Sequence, residues 1–550
     1  MLQRHVTRFK GLPRRLSRAA LVVIPALLSS TCLNAQLTAD PVKTLSNHGR
    51  ILLVLPFDNR TGQPSLEWIR EAAADLLSSR FASAGFAPMT RADRVYALDH
   101  LGLPQGFQPS RASSLKLAQT LDADYIVVGN YRMSGGSIEA EAQLVDVPHL
   151  RMSGAVGSYG AMSNMIAVFD SLAWKLTREL DPSFSVAEET FVAAGEGLRI
   201  DAYEQYIRGI TEPDQAERLR HLEQSVKLSP GFNPAWMALG REQYQGLHYE
   251  EAAQAFAKVD PGSPDALEAG FYRGLSLLFS GNYPEGEKAF AAVARVLPLA
   301  EVVNNEAVAI SRQGRDGTAL FVQAASSDPN AADYHFNLAV SLKRRGHTNT
   351  ALNELALCLK LRPGDSEAQS LEQAWKSPAG AQAAAGGTEA AAPDPLERIV
   401  RTFDASAFRQ AAVMLDQVDA THLAALTTHE QALKICEQAG GYLHRGLLLE
   451  AERLYQSAVS LDGNAPEAHV GLAEVRERVG DNDAARKEAK TALELAPSAD
   501  AYLVLGRIDF EENHLADARS EAGNALKLSP ASPAAQELMR QVETRDGIAK

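Results

Sequence analysis

Side chains able to do acid–base or metal chemistry are sparse along this 550-residue chain, and their spacing does not assemble a site. Glu139 and Glu141 stand two apart, which puts two carboxylates on one face of a strand, and paired carboxylates are what general acid–base work requires. Around them Ile138, Ala140, Ala142 and Leu144 alternate with Glu139, Glu141 and Gln143, so the acids read as the wetted face of a half-buried strand. His422 and His429 stand seven apart and can share a helix face, but further metal ligands are not evident beside them, and they read as surface histidines. Gly195-Glu196-Gly197 lacks the third glycine and the preceding apolar strand of a dinucleotide site and reads as a linker turn. A His-Glu-x-x-His zinc helix, a Gly-x-Ser-x-Gly nucleophile turn and a phosphate loop ending Gly-Lys-Ser/Thr are absent. The expectation is a non-enzymatic protein with no catalytic residue, no metal and no cofactor.

The elements that carry these residues follow from composition and pattern. Hydrophobic residues at 45% and charged residues at 22% exclude wholesale disorder, and the length calls for about two to four structural units. Residues 1–35 differ from the rest. Arg4, Arg8, Lys10, Arg14, Arg15 and Arg18 occur there without an acid, an apolar run interrupted by Pro25 extends from Ala19 to Leu28, and Ala35 precedes Gln36. That order predicts a secretory signal peptide over 1–35, cleaved near Ala35, and export to the periplasm or cell envelope. A retained anchor, or a lipid on Cys32, are the alternatives. Loss of six cations takes the formal charge from −14 to −20, a field that argues against nucleic acid and for a protein partner. Cys358 and Cys436 fall in different repeats and read as small buried apolar residues.

Between 49 and 180 strands and helices alternate. Ile51 to Phe57 is a continuous apolar strand of the kind buried on both faces, ending in the turn Asp58-Asn59-Arg60-Thr61-Gly62. A helix follows with Ser65 as its N-cap and Leu66, Ile69, Ala73, Leu76, Leu77 and Phe81 on one side. A second helix over Ser113 to Leu121 leads into the strand Tyr125 to Val128, closed by Gly129-Asn130. After the alternating strand come another strand near Arg151 to Val156 and an amphipathic helix from Met165 to Leu180. The run Val54-Leu55-Pro56-Phe57-Asp58-Asn59 with Gly62, then Asp122 to Gly129 and Ala142-Gln143-Leu144-Val145-Asp146, resembles the domain type at the amino terminus of the periplasmic protein TolB. The resemblance covers roughly 130 residues and implies a binding or assembly domain. A longer segment from Tyr96 to Arg111 departs from it.

Downstream the chain repeats. Gly240, Tyr249, Phe256 and Pro264 recur as Gly274, Tyr283, Phe290 and Pro298, and Leu338, Ala339, Gly346, Ala351 and Pro363 form a further copy. Gly446, Ala451 and Ala458 recur as Gly480, Ala485 and Ala492, then as Asn513, Ala518 and Ala525. This is similar to the tetratricopeptide repeat (TPR), a helix-turn-helix unit whose small residues let paired helices approach closely. Weaker units are expected at about 199 to 232, 299 to 331 and 396 to 430. The fold class is thus an α/β domain at 49–180 followed by an all-α TPR solenoid in two blocks, 199–376 and 396–550. Between the blocks, 377–395 is an Ala/Gly/Pro-rich linker.

The TPR resemblance places a binding groove along the first helix of each repeat, with Met237, Arg241, Tyr244, Phe271, Phe336, Lys343, Arg344, Arg507 and Phe510 in or near it. The family's clamp for peptide carboxylates does not carry over, because its paired Asn and Lys set is absent. The expected function is a protein-protein interaction scaffold or adaptor of the cell envelope. An outer-membrane assembly factor, or a sensor or enzyme with its site in the α/β domain, are the alternatives.

Overall fold

The computed structural model describes residues 51–104, 110–193, 195, 197–377, 395–403, 423 and 426–549. The leader 1–35, most of the 377–395 linker and His422 lie outside the described residues.

The first domain is one mixed sheet covered on both faces. Its strands are β1 (Ile51–Val54), β2 (Asp58–Asn59), β3 (Ala87–Pro88), β4 (Tyr125–Ser134), β5 (Ser137–Asp146), β6 (Arg151–Met152) and β7 (Val156–Ala161). They run in the order β3-β1-β4-β5-β6, with β2 beside β4 and β7 beside β5; β1 is parallel to β3 and β4, and β4–β5 is an antiparallel hairpin. The continuous apolar run of β1 serves two cores. Leu52 and Val54 face α1 (Ile69–Ser83) and the helix Met165–Leu180, while Leu53 and Leu55 face α2 (Arg91–His100) and α3 (Arg111–Thr120). Met165–Leu180 is α4, and α5 (Glu188–Ala193) follows it. Ile138, Ala140, Ala142 and Leu144 are all buried on the β5 face predicted to point inward.

Two local expectations are corrected, and one segment left open by the sequence is placed. Ser65 is not a helix cap. It lies inside a short 3-10 turn, Pro64–Leu66, and α1 starts only at Ile69 after Trp68. Gly129 does not end its strand: β4 runs through it to Ser134, and a Cβ at Gly129 would sit 2.3 Å from the Phe57 ring, so glycine serves a close approach rather than a turn. The segment from Tyr96 to Arg111 begins within α2, whose start carries a reciprocal Thr90–Asp93 capping box.

The rest is helical. The first block pairs α6 (Ile200–Thr211) with α7 (Gln215–Leu228), α8 (Asn233–Gln245) with α9 (Tyr249–Phe256), α10 (Ala266–Phe279) with α11 (Tyr283–Val296), α12 (Ala300–Arg312) with α13 (Thr318–Ser327), and α14 (Ala332–Arg344) with α15 (Thr348–Leu361). A single helix, α16 (Ser366–Lys376), closes it. The second block pairs α17 (Thr428–His444) with α18 (Leu448–Leu461), α19 (Pro466–Arg478) with α20 (Asn482–Leu495), and α21 (Ala499–Glu511) with α22 (Leu515–Leu528), and ends on α23 (Pro533–Ala549). A Cβ on Gly240 would lie 2.7 Å from the Phe256 ring, and one on Gly274 2.7 Å from Phe290, which is why these repeat positions carry no side chain. Hairpin turns recur with a left-handed residue at Leu247, Gly281, Gly314, Gly346, Gly446, Gly480 and Asn513.

Both blocks are tied to the first domain. One continuous core runs from the sheet through Tyr203, Ile207, Leu222 and Leu239, and the Tyr203 hydroxyl donates to Asp75 Oδ2 at 2.7 Å. From the second block, Leu449 of α18 joins that core, and buried Glu452 accepts from the Ala187 amide (3.2 Å), the Thr190 hydroxyl and Arg476 (2.6 Å). No helix among the described residues is long and apolar enough to cross a membrane.

Candidate functional site

The first helices of successive hairpins line one side of the first block, and an extended piece of the same chain, Pro395–Phe403, lies along them. Nine residues before the turn glycines Gly346 and Gly314 stand Asn337 and Asn305, both buried. Asn337 Oδ1 accepts from the Arg398 amide at 2.6 Å and its Nδ2 donates back to the Arg398 carbonyl at 2.7 Å. Asn305 repeats this two residues on, accepting from the Val400 amide at 3.0 Å and donating to the Val400 carbonyl at 2.8 Å. Alternate residues of an extended chain offer their N–H and C=O to the same side, so the two amides do for 398 and 400 what a neighbouring β-strand would. Asn304 steadies the pair: its Oδ1 accepts from Asn337 (2.8 Å) and its Nδ2 donates to the Arg398 carbonyl (3.2 Å).

Side-chain chemistry is added at both ends. The Glu397 carboxylate is fully buried and lies between Arg344 and Arg312, whose Nε is 3.4 Å away, with the Ser311 hydroxyl donating to it. Arg344 also donates to the Pro395 carbonyl at 2.8 Å and Arg312 to the Glu397 carbonyl at 3.0 Å. The Arg398 guanidinium enters the opposite field. It meets Asp365 at 2.6 Å, Asp333 at 2.9 Å and Glu367 at 3.0 Å, and stacks 3.6 Å over the Phe336 ring. Burial opposes its charge, but the bonds from Asp365, Asp333 and Glu367 outweigh that and hold it above its ordinary range. The same contact holds the Asp365 carboxyl below its usual range. Further along, Arg401 lies 4.9 Å over the Phe279 ring, and the Phe403 ring is 5.4 Å from that of Phe271.

The residues assigned to a groove from the sequence fall into three groups. Phe271, Phe336 and Arg344 touch the 395–403 segment directly, and Tyr244 stands behind Phe279, its ring 6.2 Å away and its hydroxyl pushed up to about 12 by burial. Arg241 bridges α8 to α10 through Glu268 at 2.6 Å, and Arg507 bridges α21 to α19 through Glu477 at 2.5 Å. Met237 is buried against Ala252 and Phe256, Lys343 turns to Thr348 and Trp375, and Phe510 lies under Arg545 at 4.3 Å. Sequence reading did not single out Asn304, Asn305, Asn337, Arg312 or the segment that they hold. The available signal was the recurrence of asparagine nine residues before two successive turn glycines. Residues 396–403, assigned to the start of the second block, pack on the first.

Elsewhere the clusters that could do chemistry are tied up in ion pairs among the described residues. Asp509, Glu512 and His514 come together, but Arg486 spans two of them at 2.6 Å from Asp509 and 2.7 Å from Glu512. His429 pairs with Asp462 at 2.7 Å, and Glu139 with Arg132 at 2.5 Å. Burial pushes Asp75 up to about 6, at the seam with Tyr203.

Residues 470–535 match the tetratricopeptide repeat family. No curated protein matches the chain. Among solved structures, MamA 41-end from Desulfovibrio magneticus RS-1 is 21% identical over 31% of this chain and 100% of that one, with a TM-score of 0.28. YrrB, described as a TPR protein with an unusual peptide-binding site, is 14% identical over 37% of this chain and 99% of its own, with a TM-score of 0.28. The LpoB C-terminal domain from Escherichia coli is 23% identical over 23% of this chain and 90% of its own, with a TM-score of 0.19.

Proposed function

We propose that this tetratricopeptide-repeat chain is a non-catalytic scaffold of the cell envelope that holds segments of partner proteins along the first helices of its first block. The observation that carries the reading is the bound state already visible within the chain: two buried asparagines pair with alternate backbone units of an extended segment, with opposite charge fields for its Glu397 and Arg398. Backbone pairing binds extended chain of any sequence, and the charged and aromatic contacts add selectivity. The basic and apolar leader supports export, as does the resemblance of the first domain to the TolB-like type. Neither nucleic acid nor a bilayer span enters this reading.

The test is a photo-reactive residue placed in living cells at Arg241, on a first helix, or at Lys288, on a second helix and 71% exposed. Protein adducts should form at the Arg241 position in the envelope fraction and not at Lys288, and the mature chain should begin at or near Gln36. Equal labelling at both positions, or an intact Met1 in the cytoplasm, would sink the proposal.

A further inference from the structure

Building on that reading, we infer that the first-block groove is a peptide site closed by the chain itself. Residues 395–403 are its built-in competitor, and the external ligand is an extended peptide of the same chemistry: an acid, an arginine, two branched aliphatic residues and, three positions later, an aromatic ring.

Three features separate this arrangement from ordinary packing of a connecting segment. First, the contacts read the segment in register. Asn337 and Asn305 each take both backbone groups of one residue, two residues apart, and they occupy equivalent places in successive hairpins. Tyr272 stands at the same place in the preceding hairpin, nine residues before Gly281, and its hydroxyl reaches the Phe403 backbone. Second, the charge order is specified. Arg312 and Arg344 converge on the Glu397 position, while Asp333, Asp365 and Glu367 converge on the Arg398 position, so a peptide with the two residues exchanged meets like charge at both sites. Third, each contact supplied by the segment is one that another chain could supply, because the segment adds no helix to the repeats and forms no strand.

A segment covalently joined to its site competes at an effective concentration on the order of millimolar, so an external peptide with equal contacts gains entry only when the internal copy is weakened or outnumbered. Occupation by a second copy of this chain is the competing outcome, since its own 395–403 segment has the right chemistry.

The probe is the fluorescein-labelled nonamer Pro-Leu-Glu-Arg-Ile-Val-Arg-Thr-Phe, titrated against the full chain by fluorescence anisotropy. The parent should bind it weakly. Glu397→Ala with Arg398→Ala, which leaves every repeat side chain in place, should tighten binding at least ~10-fold by removing the competitor. Val400→Pro, which removes the N–H given to Asn305, should do the same and serves if the double variant folds poorly. Adding Asn305→Ala and Asn337→Ala should abolish the gain, and the peptide with Glu and Arg exchanged should bind none of the proteins. Parent binding as tight as that of the variants, no gain in either variant, or variants that dimerise by light scattering without taking up peptide would each overturn the inference. The assay needs no natural partner. Peptide gain without envelope adducts would therefore condemn the scaffold reading alone, and adducts at Arg241 without peptide gain would condemn this one alone.

Discussion

Gly346 in the first block and Gly480 in the second end first helices with nearly the same left-handed geometry, φ of 81° and 79°, yet what stands nine residues before them differs. In the first block these positions are Ala238, Tyr272, Asn305 and Asn337; in the second they are Glu437, Gly471 and Val504. Glu437 is exposed, Val504 is fully buried, and a Cβ on Gly471 would lie 2.1 Å from the Tyr455 ring, so that place is filled from within the block. Two residues before the turn, Arg312 and Arg344 face Glu397, whereas the second block has His444, Arg478 and Glu511, with Arg478 donating to the Leu443 carbonyl at 2.8 Å. Hairpin packing and groove lining are therefore set by separate positions of one repeat. The first can be kept while the second is made a binding surface in one block and a structural one in the other.

The largest expected effects test two close helix approaches, one within a hairpin of the first block and one between hairpins of the second. Gly274→Leu and Gly471→Leu should each cost about 3 kcal/mol, because a side chain must enter space held by the Phe290 or Tyr455 ring. Urea denaturation should show comparable losses, and an unchanged midpoint for either would mean that its glycine does not lie against that ring. Next comes the lining. Asn337→Ala strands the backbone N–H of Arg398 and takes one of two donors from its C=O, a loss of about 2 kcal/mol. Hydrogen exchange at the Arg398 and Val400 amides should rise with it, while the equivalent Gly471→Ala in the second block leaves those amides protected.

The seams to the first domain offer a third comparison. Asp75, raised to about 6 where the first block meets α1, contributes stability that is whole below about pH 4 and lost as pH rises through 6, since the folded state holds the proton longer than the unfolded one. Asp75→Asn should remove that slope and leave the protein more stable than the parent above pH 6, by about 1–2 kcal/mol. Glu452, at the seam of the second block, is also raised by burial, so Glu452→Gln should act in the same pH direction. Thermal melts from pH 4 to 8 check both, and parallel parent and Asp75→Asn profiles would refute the assignment. The smallest effect is at a turn. Leu247 adopts φ of 64° where Gly281, Gly314, Gly346, Gly446 and Gly480 stand in five other hairpins and Asn513 in a sixth, and Leu247→Gly should raise stability by about 1 kcal/mol. A fall in melting temperature would show that its exposed side chain serves another purpose.

Much of the fold was legible where a local rule has one solution. Turn glycines at a fixed period announce a left-handed residue, Gly240 facing Phe256 announces a close helix pair, and the alternation from Ile138 to Leu144 fixes which face of β5 is buried. Helix α2 was not read from the sequence, although Thr90 and Asp93 stand three residues apart and form a capping box at its start. Gly129 misled because glycine marks both turns and close approaches, and only the position of the Phe57 ring distinguishes them.

The sequence by itself determined the classes: an α/β domain, helical hairpins in two blocks and buried cysteines. These depend on periodicity and on the conformational limits of single residues, which act over a few positions. Only the tertiary structure decided that Asn337 and Asn305 meet Arg398 and Val400, 61 and 95 residues away along the chain, and that Glu397 lies between two arginines of successive hairpins. An asparagine on a helix has no local partner that reveals its role. Its amide becomes a backbone-reading group only when stacking of the hairpins lines it up with its neighbours, and an extended segment acquires its shape only from the groove that receives it.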